Sequence, residues 1–367
     1  MDEDYLDVRD GSKIYFLPKD YKYFLRKLTL VFGGSGSGKT TLLDEIMKLC
    51  QPHVPNVFVI ARTNTANAAY DGKVAPVCIQ DGRNAKKTVQ WLENFLVRQK
   101  NAAGAYTKAH NIKILKPLFT RASNRKSALL EETILERARA NLIYIESVTE
   151  LNPAQKRAQR KKIEKNRDET LISLYRSVIR CRKDELEKIK NDLSEDEATA
   201  LSFLDFNPHA MLILDDCASQ FKLWTKMSTA IKELFYEGRH YFITTVIISQ
   251  DDKEIDSELR KGSMVSLFTT DQIAISNFTR TSNSYPKHIA QRAKACIEAV
   301  FKLEKGEPDH FQKLAYIRGL PDPFRYTVAE LYDDFQMGSP AIWEFSKRIE
   351  ESSNKKRDNN PLVERYT

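Results

Sequence analysis

Glycines and hydroxyl side chains followed by a lysine give this 367-residue chain its clearest chemistry. Residues 33–40 read Gly-Gly-Ser-Gly-Ser-Gly-Lys-Thr, which matches the spacing G-x-x-x-x-G-K-[ST]. Glycines let successive backbone N–H groups converge where a polyphosphate can bind, and Lys39 adds an ammonium for its β- and γ-phosphates. The Thr40 hydroxyl can ligate Mg²⁺. The predicted nucleotide-binding residues are Gly33, Gly34, Ser35, Gly36, Ser37, Gly38, Lys39, Thr40 and Thr41.

The segments on either side of this loop decide what the pattern means. Residues 27–32 are apolar and β-branched, which is typical of a strand, and the residues after Lys39 show the apolar period of a helix. A helix that begins at the loop adds its positive N-terminal end to a phosphate site. The alternative is a plain Gly/Ser turn. The strand–loop–helix context favours a nucleoside triphosphate site.

A second strand ends in two adjacent carboxylates. Residues 211–216 read Met-Leu-Ile-Leu-Asp-Asp, a buried-strand pattern whose carboxyl end we expect in the same crevice as the glycine loop. Successive strand residues point to opposite sides, so the two carboxylates have different roles. Asp215 is predicted to enter the Mg²⁺ coordination sphere through Thr40 and water, and Asp216 to polarise an attacking water. The alternative is a helix N-cap after a core strand.

Two further polar side chains flank the next long apolar strand. Gln250 ends it, where a neutral amide can sense the γ-phosphate; otherwise it only marks the end of a strand. Arg239 lies in the turn before that strand, on the side of the sheet opposite to its own nucleotide. It is therefore predicted as an arginine finger that reaches a neighbouring subunit, with a surface arginine as the alternative. Arg62, Arg260 and Arg280 are rivals for this role.

Composition narrows the class of protein. Hydrophobic residues make up 41% and charged residues 29% of the chain, as in ordinary soluble proteins. No apolar run approaches the roughly 18 residues of a membrane span, and the acidic N-terminus lacks the pattern of a secretion signal. The five cysteines are scattered singly, which argues against a disulfide framework or a zinc site and fits a reducing compartment.

The net charge of +8 is concentrated in one segment. Residues 156–190 contain 13 Lys or Arg against 6 Asp or Glu. A basic block of this kind is a candidate nucleic-acid surface, although a solvated helix face can have the same composition.

Changes in composition divide the chain into an N-terminal lead-in (1–26), a first core part (27–99), a basic insertion (100–205), a second core part (206–349) and a polar, frayed tail (350–367). Glycine almost disappears from the insertion, where apolar residues recur at helical intervals over 165–192. We therefore expect an all-helical insertion in an α/β core. A partly disordered linker is the alternative for 155–162.

Within the core the patterns predict particular elements. Strands are expected at 56–61, 75–79, 241–250 and 264–268, and helices at about 40–50, 84–99 and 221–236. Alternating apolar residues at 296–303 and 311–318 predict a C-terminal β-hairpin.

The order of these features resembles the FtsK–HerA superfamily of ring ATPases that pump DNA. The segments Leu-Ile-Leu-Asp-Asp-Cys-Ala at 212–218 and Gly-Arg-His-Tyr at 238–241 are more closely similar to the genome-packaging ATPases of large eukaryotic DNA viruses, the poxvirus-like group. The resemblance covers about 27–95 and 205–320 and leaves out the helical insertion. The chain departs from many relatives of the wider superfamily at Asp216, where they carry glutamate.

The resemblance implies a RecA-like (ASCE) P-loop core with a mostly parallel sheet, a homo-oligomeric ring, ATP and Mg²⁺ at the site, and double-stranded DNA in the channel. It implies the packaging of a viral genome, with capsid or membrane-vertex proteins of the virion as partners. The location would be the host cytoplasm or viral factory and the virion, without membrane insertion. The residues that the resemblance carries into their family roles are Lys39, Thr40, Asp215, Asp216, Gln250 and Arg239.

Two other classes of function stay open at this stage. A P-loop kinase would transfer the γ-phosphate to a substrate hydroxyl, but the Asp-Asp strand end and Gln250 argue against it. A nucleotide-binding switch or scaffold would use the basic helices to bind a partner and would turn nucleotide over negligibly.

Overall fold

The computed structural model describes residues 4–62, 69–302, 311–332 and 335–358, and only the backbone for the last six of these. The chain divides into two compact units. The first comprises residues 1–99 and 208–367, and the second comprises residues 100–207.

The described strands of the first unit form one sheet. They are β1 (Tyr5–Asp7), β2 (Lys13–Phe16), β3 (Leu28–Phe32), β4 (Asn56–Ala61), β5 (Ile79–Asp81), β6 (Ala210–Asp215), β7 (Ile243–Ser249), β8 (Val265–Phe268), β9 (Gln312–Ile317) and β10 (Phe324–Val328). Their order across the sheet is β1-β2-β10-β9-β8-β3-β7-β6-β4-β5. The six strands from β8 to β5 are parallel to one another, whereas β9 is antiparallel to both β8 and β10.

The order of the parallel strands identifies the fold class. β3, which leads into the glycine loop, is separated from the Asp-Asp strand β6 by β7. The register aligns the ends, because Phe32 pairs with Ser249 and Asp215 pairs with Ile248. The first unit is therefore a RecA-like P-loop core, as the sequence predicted, and the residues that follow β3, β6 and β7 meet at the carboxyl edge of the sheet.

The central strands are continuous apolar runs, because both faces of the sheet are covered by hydrophobic clusters. Leu30 and Phe32 of β3 pack in one hydrophobic cluster, and Val31 packs in another on the opposite face. Both clusters are closed by helices of the first unit. Burial of each large apolar side chain contributes about 1.5–3 kcal/mol, so the two clusters stabilise the strands beneath the loop.

The helices of the first unit include α1 (Lys39–Cys50), which begins directly at the glycine loop and packs on the cluster of Val31. α2 (Ala85–Lys108) begins in this unit and supplies Val89, Leu92 and Phe95 to the other cluster. The further helices of this unit are α8 (Phe221–Met227), α9 (Thr229–Glu237), α10 (Ser257–Gly262), α11 (Asp271–Thr279), α12 (Lys287–Phe301) and α13 (Pro340–Asp358).

The second unit is helical throughout its described residues, as the composition predicted. Beyond the end of α2 it contains α3 (Ile112–Ala122), α4 (Arg125–Ser147), α5 (Pro153–Cys181), α6 (Lys183–Lys188) and α7 (Glu195–Ser202). Its own core buries Leu118 and Phe119 of α3 against Leu171 and Tyr175 of α5. Within the described part of the chain, none of the helices combines the length and apolarity required to cross a lipid bilayer.

The predicted C-terminal β-hairpin is present and is formed by β9 and β10, but the prediction of its first strand at 296–303 is wrong. Residues 296–301 belong to α12, whose buried residues Ala293, Cys296, Ile297 and Val300 recur at the spacing of a helix, not of a strand. The true partner of β9 is β10, and Gly319, at a φ of 92°, stands in the turn between them. Residue 303 lies outside the described residues.

Helix bounds also differ from the expectation. The basic segment 155–162 is ordered in α5, which begins twelve residues before the predicted start at 165 and ends at 181. Two reciprocal hydrogen bonds fix the start of this helix. The Asn152 side chain accepts from the Gln155 N–H at 2.9 Å, and the Gln155 side chain accepts from the Asn152 N–H at 3.0 Å. Pro153 fits the first helical position.

Other bounds changed for equally local reasons. The helix expected at 221–236 is broken at Ser228, which has extended backbone and caps α9. Residues 76–78 form a 3₁₀ turn, and only 79–81 form the strand predicted at 75–79. The lead-in 1–26 holds β1 and β2, and α13 extends to residue 358 in the expected frayed tail. Residues 359–367 lie outside the described residues.

Candidate active site

The glycine loop has the backbone shape that a polyphosphate cradle requires. Gly36 and Gly38 have positive φ values of 72° and 85°, a region that favours glycine. The Lys39 ammonium donates to the Gly34 carbonyl at 2.6 Å, which folds the side chain back over the loop. Burial lowers the pKa of Lys39, while Asp216 and Asp215 act in the opposite direction. The lysine is therefore a desolvated cation aimed at the centre of the loop.

The position of Gly33 accepts only glycine, because Thr269, the residue after strand β8, packs directly against it. A Cβ at this position would lie 1.6 Å from Oγ1 of Thr269, which leaves no room for a side chain. The Thr269 hydroxyl donates to the Phe32 carbonyl at 3.1 Å and lies 2.6 Å from Oγ of Ser37. Ser37 in turn donates to the Gly34 carbonyl. This chain of contacts holds the loop open above β3 and β8.

Asp215 ends β6 within reach of the loop, and a tyrosine supports it. The Tyr70 hydroxyl donates to Oδ2 of Asp215 at 2.8 Å, and Tyr70 is only 2% exposed. Burial raises the pKa of Asp215, and the bond from Tyr70 partly offsets this shift. A carboxylate that is oriented by a buried hydroxyl keeps its other oxygen available to a cation. Nothing in the sequence around Tyr70 marks it, because the contact spans 145 residues.

Asp216 and Gln250 are brought together. The Gln250 amide nitrogen donates to the Asp216 carboxylate at 3.0 and 3.3 Å. Asp216 has a φ of 52°, in the left-handed region that aspartate tolerates better than most residues. This backbone conformation turns the chain sharply after β6. Asp216 and Gln250 therefore form one polar pair at the carboxyl edge, next to Asp215 and the loop.

A cavity of about 300 Å³ opens beside this pair. Its lining residues are Arg62, Arg83, Asp216, Ser219, Gln250 and Glu254. Arg62 follows β4, is exposed, and lies 3.5 Å from the Ser219 hydroxyl. The sequence offered Arg62 only as a finger for a neighbouring subunit. The structure places it on the wall of the cavity that Asp216 and Gln250 of the same chain also line.

The other two rival arginines are committed to a buried network. Asp252 is 0% exposed and accepts two bonds from Arg280, at 2.9 and 3.0 Å. Arg260 is 6% exposed and donates to Asn283 at 2.7 Å and to the Asp252 carbonyl. Both guanidinium groups donate hydrogen bonds within this network. Their network instead fixes the loop that carries Gln250.

Arg239 lies at the opposite, amino edge of the sheet, where the sequence placed it. It is exposed in the 3₁₀ turn before β7, and its carbonyl accepts from Nε of Arg26 at 3.0 Å. A cavity of about 240 Å³ borders it, with Lys27 and Met264 among the lining residues. The structure does not bring Arg239 together with the other predicted site residues of its own chain.

The residues present fit a magnesium–nucleotide complex. Mg²⁺ is usually held by one or two carboxylates together with substrate phosphates and water, and Asp215 with the exposed Thr40 hydroxyl is such a donor set. The loop's positive-φ glycines and Lys39 suit the phosphates of a nucleoside triphosphate. Chemically, the site can place a triphosphate between a fixed cation and the Asp216–Gln250 pair.

Relatives at the level of sequence come from large DNA viruses. Protein B354L of African swine fever virus, an uncharacterised protein, is 31% identical over 360 residues in isolate Pig/Kenya/KEN-50/1950 and 30% identical over 358 residues in isolate Tick/Malawi/Lil 20-1/1983. Each alignment covers 94% of both proteins. The chain therefore belongs to the B354L family, which agrees with the resemblance to proteins of large eukaryotic DNA viruses. No protein-family model matches the chain.

Comparison with solved structures gives weaker likenesses. The genome packaging NTPase B204 of Sulfolobus turreted icosahedral virus 2, in complex with sulfate, has a TM-score of 0.39 at 10% identity, over 86% of this chain and 100% of that one. The plasmid coupling protein TrwB, in complex with a GTP analogue, has a TM-score of 0.37 at 14% identity, over 89% of each chain. Likenesses this weak do not bear on the activity of the present chain.

Proposed function

We propose that this member of the B354L family is an ATP-driven translocase of double-stranded DNA that packages a viral genome. The observation that carries the proposal is the meeting of three strand ends at one edge: the loop with Lys39 after β3, the two aspartates at the end of β6, and Gln250 after β7. Strands buried on both faces hold these groups in place, as electrostatic catalysis requires.

Hydrolysis would follow from this arrangement. Asp215 and the Thr40 hydroxyl would hold Mg²⁺, which would supply positive charge to the γ-phosphoryl group. Asp216 accepts a proton from the water that attacks the γ-phosphorus, and Lys39 neutralises charge on the leaving diphosphate. Gln250, bonded to Asp216 at 3.0 Å, senses whether the γ-phosphate is present. Asp252, two residues after Gln250 and bonded to Arg280, provides a route from hydrolysis to movement of the following segment.

A homo-oligomeric ring would complete the site. Arg239 is exposed at the amino edge, about 20 Å from Gln250 along β7. A neighbouring copy whose amino edge faces this nucleotide would contribute its Arg239 to charge that develops on the γ-phosphate. An arginine supplied in this manner is worth about 10³–10⁵ in rate in other phosphoryl-transfer systems.

Double-stranded DNA is the proposed cargo, and the helical unit is a proposed contact. Exposed basic residues crowd the first half of α5, where Arg157, Lys161 and Lys162 lie within six residues of one another. Contacts of this type bind phosphates without reading sequence, and they weaken steeply with salt. Capsid or membrane-vertex proteins of the virion would be further partners, and the proposed place of action is the viral factory in the host cytoplasm.

Steady-state release of inorganic phosphate from ATP, with and without double-stranded DNA, tests the proposal. We expect several-fold stimulation by DNA that disappears in Lys39→Ala. Lys232→Ala, an exposed lysine on α9, is the matched control and should retain wild-type hydrolysis. Raising the salt concentration should remove the stimulation before it affects the basal rate.

The other classes of function give different results in the same assay. Labelled phosphate that appears on an acceptor, and not as free phosphate, would mean a kinase. Tight nucleotide binding with negligible turnover in the presence of DNA would mean a switch or scaffold.

A further inference from the structure

A second cavity, of about 370 Å³, opens against the glycine loop and shares no lining residue with the cavity beside Asp216. Residues 36–38 and Thr41 line it on the loop side. Phe311, Lys313 and Leu331 line it from the other part of the sheet. Its volume is within the roughly 300–1,000 Å³ of small-molecule sites.

Sheet topology explains why these residues meet the loop. β9 is antiparallel to β8, with Leu314 opposite Phe268, so the start of β9 lies at the carboxyl edge of the parallel strands. β10 runs back beside it, with Val328 opposite Gln312, so the residues after β10 return to the same edge. Phe311 and Leu331 therefore flank the loop although they are far from it in sequence.

Two large apolar side chains are left exposed in this cavity. Phe311 is 73% exposed and Leu331 is 90% exposed, in a unit whose other large apolar residues mostly pack in the two clusters. A flat aromatic ring and a branched aliphatic side chain offer a surface on which a heterocyclic base can stack. They lie on the wall that faces the loop, where the sugar and base of a bound nucleotide need a surface.

The polar groups of the cavity suit the remainder of a nucleotide. Lys313 is 3% exposed, and a Cβ at Gly38 would lie 3.6 Å from its Nζ, so its cation borders the loop. Thr270 lines the same cavity, and its hydroxyl has no hydrogen-bond partner within the described part of the chain. A buried cation beside the loop suits an α-phosphate, and a buried hydroxyl without a partner suits a ribose.

We infer that this cavity binds the nucleoside half of the ATP molecule, with the purine base against Phe311 and Leu331 and with Lys313 at the α-phosphate. The inference rests on the proposed function, since it assumes that the triphosphate occupies the glycine loop. The walls recognise the base by stacking, which every base permits, so adenine and guanine should bind alike. The larger stacking area of a purine should favour it over a pyrimidine.

Equilibrium titration of the full chain with Mg²⁺ and either ATP or inorganic tripolyphosphate tests the inference, because only ATP has a nucleoside. In Phe311→Ala we expect ATP affinity to fall about 5- to 100-fold and tripolyphosphate affinity to stay at the wild-type value. Leu331→Ser should show the same selectivity with a smaller loss. Phe345→Ala, an aromatic residue that is 55% exposed on α13, is the matched control.

Three other results of these titrations would contradict the nucleoside site or the proposed function. Unchanged ATP affinity in Phe311→Ala removes the nucleoside site and leaves the proposed function intact. An equal loss for both ligands shows that Phe311 only supports the loop. If the wild-type chain binds neither ATP nor tripolyphosphate, the proposed function fails, and this inference fails with it. Because Phe311 is largely exposed, a folding defect is not expected, and a melting curve checks this.

Discussion

The two edges of the central sheet present different kinds of surface. The carboxyl edge gathers a cation, two carboxylates and an amide, and Asp216 and Gln250 are hydrogen bonded there at 3.0 Å. The amino edge presents Lys27 and the exposed Arg239 beside a cavity of about 240 Å³. β7 connects the edges, since Arg239 precedes it and Gln250 follows it.

In the proposed ring, this difference would divide the active site between two neighbouring copies of the chain. Groups that bind and orient a triphosphate need fixed positions, and parallel strands buried on both faces supply them at one edge only. A group that is needed from a neighbouring copy must instead be exposed and far from its own nucleotide. Arg239 satisfies both conditions, whereas Arg260 and Arg280 are drawn into the buried network of Asp252.

Loss of the amino-edge arginine should have the largest effect. In Arg239→Ala we expect kcat for ATP hydrolysis to fall about 10³-fold, because charge on the γ-phosphate loses its partner from the next subunit. Mixing this variant with Lys39→Ala should restore activity, since some interfaces then combine an intact Lys39 with an intact Arg239. The measurement is phosphate release from each variant and from the mixture.

Arg98→Ala, an exposed arginine on α2, is the control for that experiment and should behave as wild type. Full activity of Arg239→Ala would mean that the amino edge contributes no catalytic group to a neighbouring copy. Arg62, on the wall of the cavity beside Asp216 and Gln250, would then be the candidate for the charge-stabilising group within one chain.

At the carboxyl edge, Asp216→Asn should lower kcat by about 10²-fold or more, because the amide cannot accept a proton from the attacking water. The affinity for ATP should change little, since Lys39 and the loop are untouched. Steady-state kinetics and an ATP titration separate the two effects. Asp7→Asn, at an exposed position on β1, is the control and should keep the wild-type kcat. A normal kcat in Asp216→Asn would exclude Asp216 as the base.

Breaking the buried network beneath the carboxyl edge should cost stability. In Arg280→Ala the Asp252 carboxylate, which is 0% exposed, loses both bonds from its guanidinium partner. We expect unfolding free energy to fall by about 3 kcal/mol, measured by denaturant titration with Arg98→Ala as the reference. An unchanged transition would mean that Asp252 is satisfied without Arg280.

The smallest effect concerns the charge of Asp215. Burial raises the pKa of this carboxyl, so without a cation its ionised form destabilises the fold as the pH rises through that pKa. Asp215→Asn should therefore raise the stability of the nucleotide-free protein by about 0.5–2 kcal/mol at pH 8. At pH 4 the gain should shrink, because the wild-type carboxyl is then closer to neutral.

Thermal unfolding at the two pH values, with and without Mg²⁺ and ATP, checks this expectation. The variant should also lose the additional stabilisation that Mg²⁺ with ATP gives the wild type. A melting temperature below that of the wild type at pH 8 would contradict the role given to the burial of Asp215.

The sequence was sufficient to predict the parallel core. The central strands are nearly continuous apolar runs, and the glycine spacing marks the loop, so local sequence patterns locate both the strands and the loop. The strands located in this way are β3, β4, β6, β7 and β8. The first strand of the hairpin was predicted wrongly, because the apolar residues at 296–301 fit the period of a strand as well as that of a helix over so short a span. The second helix of 221–236 was missed because a break at Ser228 leaves the apolar period on both sides intact.

Contacts that join distant segments could not be read from the sequence. Tyr70 meets Asp215 across 145 residues, and Lys313 reaches the loop because β9 is antiparallel to β8. Arg62 was only one of three rivals to Arg239 as the arginine finger, because nothing in the sequence shows that it lines a cavity together with Asp216 and Gln250. These placements depend on sheet order, which no local pattern specifies.

If ATP hydrolysis at the carboxyl edge moves double-stranded DNA, the protein should displace a third strand from a duplex. An oligonucleotide bound as a triplex on linear duplex DNA is released when a translocase passes it. We expect release by the wild-type chain that requires ATP and Mg²⁺ and is absent in Lys39→Ala. Hydrolysis that is stimulated by the same DNA, without any release of the third strand, would contradict it.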